Sequence, residues 1–508
     1  MSDLADDVER VSVLIVGAGP TGLLLAAELQ RRGVSCKLVD AQPAPLHWDR
    51  ATVIHPRSLE VFESLGLVDR LLEAGTKQRV VKIYSEGQLL EALDLSECGS
   101  SYGFNLGLSE ETTESILTDY LHALGGTVSR STRLVGANLH SDGVLAEIEQ
   151  DGYHCRVQAE WIVGCDGVHS RTRELSGIAL EGHDIAEPWA VFDATINGWT
   201  DEFELNVGYL DSVPVILTAL PERRWRVYLR PSSAESDLVD DAVSTVRQYA
   251  AAASFINVAN PTRFHCSSKV ANRFRSGRVL LAGDAAHLCS PAQGHGMNTG
   301  LQDAFNLAWK LALVCDHVAD SALLDSYEAE RRPVAQMVVR SGDITEQGQM
   351  LTDRAGRRAR DAAIRATFAD PAARHSEIVA ETELNVDYSA SPIVFGGADS
   401  ALAAGQRVPN TIPVRSTGHT IVLLRDATTD ASAFASLLEA SKKVVDGSGI
   451  FEAVISVAAD GVLNDRGTTT LLAVRPDGYV GMRTERDHLA ALDRYHRLVT
   501  ARSSVIAK

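Results

Sequence analysis

Near the start of the chain, the hexapeptide Gly17-Ala18-Gly19-Pro20-Thr21-Gly22 has the spacing of a turn built to hold phosphate. The first glycine permits a tight turn and the second lets backbone approach a pyrophosphate. The third lets a helix pack closely on a strand. Val11 to Val16 ahead of the turn reads as a buried strand, and Leu23 to Arg32 after it as a helix closed by Gly33. A helix starting there offers unpaired N–H groups and a partial positive charge to an anion. Asp40 ends the next strand, Cys36 to Val39, and its carboxylate suits a ribose diol. The residues Gly17, Gly19, Pro20, Thr21, Gly22 and Asp40 therefore point to a dinucleotide without choosing between NAD and FAD.

Two later segments also sit where a strand runs into a loop. One is Cys165-Asp166-Gly167-Val168-His169-Ser170-Arg171-Thr172-Arg173, after the strand from Trp161. The other begins at Val279, passes Ala282-Gly283-Asp284-Ala285-Ala286-His287, and continues Ser290-Pro291-Ala292-Gln293-Gly294-His295-Gly296-Met297-Asn298 into a long helix. With the first loop and the stretch from Arg50 to Glu60, they resemble the single-component FAD-dependent aromatic hydroxylases. The resemblance is to the branch acting on polyketide phenols, halophenols and hydroxyphenylpropionate, and it covers most of the chain. It implies FAD as cofactor, NADPH or NADH as transient reductant, and O2 and an aromatic small molecule as substrates. Hydroxylation would pass through a flavin C4a-hydroperoxide.

Within that resemblance Arg50, Asp166 and Gly167 lie near the pyrophosphate, and Asp284 is placed to hold a ribityl hydroxyl beside Gly283. Pro291, Gly294, Gly296, Met297 and Asn298 give a loop on which a flat ring can lie. The dipole of the helix that follows would stabilise negative charge on the reduced ring by roughly 1 kcal/mol. One position departs from the family pattern. Where relatives carry a flavin-contacting Gln ahead of a Thr-Glu pair, this chain has Glu110 ahead of Thr113-Glu114, and a carboxylate there is expected to turn away from phosphate.

The catalytic residue is not fixed by the sequence. His55, His287 and His295 are candidates by location, with His287 and His295 read first as structural, and no metal set is apparent. Phe192, Val215 and Tyr228 are candidates for an apolar pocket, each read first as ordinary core. Arg223, Arg224, Arg226 and Arg230 are read first as a solvated face and second as a guide for an acidic substrate or a nicotinamide phosphate. A flavin halogenase is disfavoured because no W-x-W-x-I-P motif occurs. A Baeyer–Villiger-type or epoxidising oxygenase on the same scaffold stays open, as does a non-catalytic flavin-binding module.

These residues need elements to hold them. The 508 residues suffice for two or three domains, and 45% hydrophobic with 23% charged residues is ordinary for a globular chain. The expected architecture is α/β. A Rossmann-like FAD-binding domain spans 1–175 and 266–390, with helices at Ser58 to Gly66, Thr113 to Leu124, Thr299 to Val314 and Ala322 to Gly342. A mainly antiparallel substrate sheet is inserted at 176–265. An exposed helix is expected at 355–375 and a linker at 388–405. The segment 391–508 resembles a thioredoxin-like appendage, without cysteine, and subunit contact in a homodimer is one role open to it. The net charge of -19 disfavours nucleic acid and anionic membranes. The seven cysteines contain no C-x-x-C pair, the acidic start is no signal peptide, and no apolar run reaches the roughly 18 residues that span a bilayer, so a cytoplasmic location is expected.

Overall fold

The computed structural model describes residues 8–45, 51–199, 202–351, 353–397, 402–425, 430–458 and 469–500. The Glu9–Val16 strand lies at the centre of an eight-stranded sheet, parallel to Cys36–Val39 on one side and to Tyr153–Gly164 on the other. Val279–Leu281 adds in parallel beyond it. Strand register fixes where the loops emerge. Val16 pairs with Val39 and with Gly164, and Gly164 pairs with Leu281. All four strands thus end level, and the turns after them leave from one carboxyl edge. That edge is where open α/β sheets bind ligands. The strands are continuous apolar runs because both faces are buried: Val13 and Ile15 pack with helix residues, and Leu14 and Val16 with Leu134, Val144 and Ile148.

The Pro20–Arg31 helix and the His295–Cys315 helix pack together on this sheet, and both are largely buried. A seven-stranded, mainly antiparallel sheet stands beside it. Five strands come from within 176–265, and Val80–Ser85 and Gln88–Asp94, far earlier in sequence, complete it. Strand alternation gives this sheet two different faces. Phe192, Val215, Leu217 and Val227 pack into a core with the Leu238–Val246 helix, whereas Ile216, Thr218 and Tyr228 turn the other way.

The expected helix at 355–375 is two helices, Arg354–Ala369 and Pro371–Glu381. Proline cannot continue a helix but suits a first turn, and the Asp370 carboxylate caps the second helix by accepting the Ala372 N–H at 2.9 Å. The last unit has four strands. His419–Arg425 and Phe451–Ala458 are parallel, Thr470–Val474 and Val480–Thr484 antiparallel, and the Ala431–Ser448 and His488–Thr500 helices pack against them. The described part of 388–405 is packed more than exposed, with Tyr388, Ser391 and Ile393 buried. No helix among the described residues is long and apolar enough to cross a membrane.

Candidate active site

The level strand ends bring the three sequence motifs into contact. Gly17 has φ +101°, and a Cβ there would lie 2.3 Å from the Cys165 carbonyl oxygen. At Gly22 a Cβ would lie 1.9 Å from the Gly17 carbonyl oxygen, and at Gly283 it would lie 2.7 Å from Thr21 Oγ1. The backbones of Gly17, Cys165 and Gly283 therefore form one floor, with no room for a side chain at either glycine. The Pro20–Arg31 and His295–Cys315 helices both start here, at Gly19 and Gly294, and neither has a side-chain cap among the described residues. Their first N–H groups are left for a ligand.

Above this floor opens a cavity of about 1660 Å³. Of the expected cofactor residues, Gly19, Pro20, Thr21, Gly167, Asp284, Pro291, Gly294, Gly296 and Met297 line it. The others stand behind that lining. Gly17, Gly22 and Gly283 form the floor. Asp40 braces the first loop: its Oδ2 accepts the Ala18 N–H at 2.6 Å and its Oδ1 the Gln42 N–H at 2.8 Å. Each oxygen keeps a second lone pair, enough for a ribose hydroxyl. The Asp166 carboxylate is spent on its own loop, accepting Ser170 Oγ at 2.5 Å and the Thr172 N–H at 2.9 Å. Asn298 is fully buried and staples two segments together. It accepts the His55 N–H at 2.9 Å and donates to the carbonyls of Val53 at 2.8 Å and Gly294 at 3.0 Å. Arg50 lies outside the described residues. Glu110 lines the cavity, where its Oε2 accepts the Ala51 N–H at 3.4 Å.

The remaining candidates separate clearly. His287 Nε2 meets Asp303 Oδ2 at 2.7 Å, and the same oxygen accepts the Gly283 N–H at 3.1 Å. Burial alone would raise the pKa of Asp303, but Arg331 at 2.7 Å and His287 outweigh it and hold the carboxyl below its usual range. His287 thus braces the Gly283 turn from beneath. His295 lines the cavity, and His55 packs behind it with ring centroids 4.8 Å apart. Phe192 and Val215 are core, whereas Tyr228 lines the cavity and its hydroxyl meets Thr52 Oγ1 at 3.0 Å. Arg226 and Arg230 are not a solvated face. Arg226 is buried on Asp193 at 2.7 Å, and Arg230 pairs with Glu346 and lies 4.3 Å over the Trp189 ring. Arg224 joins the Asp193 pair at 2.6 Å from a more exposed position, and Arg223 lies 5.1 Å over Phe203.

A family model described as an FAD binding domain matches residues 10–342. The chain belongs to this FAD-binding family. Among curated relatives it is 35% identical over 367 residues to pentachlorophenol 4-monooxygenase of Sphingobium chlorophenolicum, covering 68% of this chain and 66% of that one. It is also 35% identical over 346 residues to 6-methylpretetramide 4-monooxygenase of Streptomyces rimosus, covering 66% of this chain and 61% of that one. The match therefore spans a little under two thirds of each relative. Among solved structures, an anhydrotetracycline hydroxylase from Streptomyces rimosus, OxyS, superposes with a TM-score of 0.75 at 27% identity, over 96% of this chain and 99% of that one. A ternary complex of aklavinone-11 hydroxylase with FAD and aklavinone gives 0.77 at 24% identity, over 99% and 100%, which shows the shared fold.

The residues present fit FAD. A floor whose glycines have no room for a Cβ, two uncapped helix starts and a carboxylate beside the loop match a pyrophosphate and a ribose. The cavity volume of about 1660 Å³ has room for the rest of the dinucleotide. The sequence did not reveal the far wall of the cavity. Val81, Ile83 and Leu93 come from the two early strands of the second sheet, and Ile344, Ile364 and Phe368 from the long helices. The apolar alternation of 80–94 is weak, and its place in the sheet depends on a parallel pairing with Leu205–Tyr209 more than a hundred residues away.

Proposed function

We propose that this protein is an FAD-dependent monooxygenase that uses NADPH or NADH and O2 to hydroxylate an aromatic small molecule, phenolic or polyketide-like. One observation carries the reading: the dinucleotide floor and the apolar face of the second sheet open into the same cavity. Its volume of about 1660 Å³ exceeds the roughly 300–1,000 Å³ of a single-ligand pocket, which leaves space for cofactor and arene together. The relatives named for pentachlorophenol and for 6-methylpretetramide support the same substrate class. Bound flavin supplies hydride acceptance and oxygen activation.

The chain supplies binding, orientation and exclusion of water. Pro20, Thr21 and the helix start at Gly19 hold phosphate, Asp40 the ribose, and Asp284 a ribityl hydroxyl. Pro291, Gly294, Gly296 and Met297 support the ring, with Asn298 fixing their backbone and Asp166 fixing that of Gly167. Ile216, Tyr228 and Phe264 form an apolar wall that keeps the reacting face dry. Glu110, among these groups, would favour the polar edge of the cofactor over its phosphates. The chain divides into a discontinuous FAD-binding unit, an inserted substrate sheet and a thioredoxin-like C-terminal unit that packs on the first. A cytoplasmic location fits seven cysteines none of which is disulfide-bonded among the described residues, and the net charge of -19 fits small-molecule partners in preference to polyanions.

The test is NADPH and NADH oxidation under air across a panel of phenols and polycyclic aromatics, with product masses. Phenol-stimulated oxidation and a product heavier by one oxygen atom on an intact arene are expected. A lactone or epoxide would assign the ring-opening or epoxidising chemistry. Absence of bound flavin together with no stimulated oxidation would contradict the proposal.

A further inference from the structure

His295 stands in the first turn of the His295–Cys315 helix, beside Gly294, whose Cα side packs on Val53. The neighbouring Thr52 is hydrogen-bonded to Tyr228 on the substrate-side sheet. His295 therefore lies where the ring-supporting loop meets the apolar wall, and it lines the cavity. Its Nδ1 is 2.9 Å from Glu383 Oε1. Glu383 is itself held: Gln302 Nε2 donates to its other oxygen and Thr299 Oγ1 lies 3.5 Å from Oε1. All of these side chains are buried. Glu383 also has φ +57°, a left-handed conformation that costs a non-glycine residue roughly 1–2 kcal/mol. Strain of this kind is retained where the surroundings fix a side chain in place.

A carboxylate on one imidazole nitrogen of a ring that lines the cavity is the arrangement that orients a histidine as a base. We propose that His295, oriented by Glu383, is the general base that takes the proton from the phenolic hydroxyl of the bound arene. This rests on the hydroxylase reading above. The step is a proton transfer alone: the O–H bond breaks, the proton joins the His295 nitrogen not engaged by Glu383, and the substrate becomes a phenolate. The resulting imidazolium is paired with the Glu383 carboxylate, and the electron-rich phenolate is the form an electrophilic oxygen attacks.

The groups around His295 fit this role. Glu383 and Glu381 raise its basicity, Cys289 lies nearby with its thiol kept protonated by burial, and His55 faces it from behind. Burial alone would lower the pKa of His295, but the hydrogen bond and charge of Glu383 outweigh it, so the ring is more basic than usual. His55 is pushed the opposite way, by burial and then by His295. Its Nδ1 lies 3.0 Å from Asn105 Oδ1, and its Nε2 has no partner among the described residues. The two contacting histidines are thus pushed in opposite directions, and His295 is the more basic of the pair.

The experiment compares two phenols in the FAD-loaded protein and in His295→Gln and Glu383→Gln, with retained flavin as the check on folding. One phenol has an ordinary pKa of about 10; the other carries nitro or several chloro groups and is already ionised at the assay pH. Loss of the base should slow hydroxylation of the first by roughly 10²–10⁴-fold and that of the second far less. A second readout needs no turnover. Without reductant, the pH at which bound phenol acquires phenolate absorption should be lower than for free phenol, and H295Q should abolish that difference. E383Q should reduce it.

Equal losses on both phenols, or an unchanged phenolate midpoint in H295Q, would overturn the base. So would one equivalent of a divalent metal ion that is lost in His55→Ala, because His55, His295 and Glu383 would then be a metal centre. Flavin-loaded wild type that hydroxylates no phenol would remove the reaction itself, and the base with it.

Discussion

Individual residues at the site divide into those set by backbone and those set by distant partners. The glycines at 17, 22 and 283 were legible because the constraint on each is local geometry, which a short motif encodes. Asp40 was legible by its place at a strand end. The His295–Glu383 pair was not, because its members are 88 residues apart and nothing at Glu383 marks it in the sequence. Arg226 and Arg230 misled for a similar reason: their partners, Asp193 and Glu346, come from another strand and a distant helix. At this scale Asp284 gives the simplest prediction. A hydrogen bond to a charged group contributes about 1.5–3 kcal/mol, so Asp284→Ala should weaken FAD binding roughly tenfold to a hundredfold. Flavin fluorescence titration of the apoprotein would measure it, and unchanged affinity would remove the ribityl role from Asp284.

Elements succeed or fail as signals according to their periodicity. The buried parallel strands are short apolar runs, and they stood out. The second sheet was read from its own segment, but its last two strands are supplied from 80–94 by a long-range pairing that no local pattern carries. The break at Asp370-Pro371 was readable in principle from the Pro and its capping acid, yet the Arg- and Ala-rich flanks suggested one helix. The strand-turn-helix element at the floor yields a sharp test. Gly22→Ala places a methyl 1.9 Å from the Gly17 carbonyl oxygen. Helix and strand must then separate, at a cost of about 1–3 kcal/mol or more. The expected result is loss of bound flavin together with a lower Tm. A variant that keeps both would show that the helix does not approach the strand as closely as described.

At the scale of the whole molecule, a buried ion network ties the C-terminal unit to the nucleotide-binding one. Glu330 accepts from Arg475 twice at 2.7 Å, from Lys310 at 2.7 Å and from Asn306 at 2.7 Å, while Asp477 accepts from Trp309 at 3.2 Å. Removing one member leaves buried charges without compensation, so Arg475→Ala should cost about 3–5 kcal/mol, read by chemical denaturation. The network also sets an acid limit. Burial alone would raise the pKa of Glu330, but Arg475 and Lys310 outweigh it and hold the carboxyl far below its usual range. A depressed folded-state pKa stabilises the protein above the ordinary glutamate value of 4.5 and loses that contribution as the pH falls below it. The Tm of wild type should therefore drop between about pH 5 and pH 3, and that of Glu330→Gln should drop less over the same interval. Equal slopes would place the acid sensitivity elsewhere.

All of this depends on level strand ends holding one flavin beneath the second sheet. Diffraction from crystals of the FAD complex tests that most directly. The expected density puts the pyrophosphate at the start of the Pro20–Arg31 helix and the ring against Pro291 to Met297, facing Tyr228. Density for the dinucleotide away from the Gly17, Cys165 and Gly283 floor, or a ring outside the shared cavity, would contradict the account.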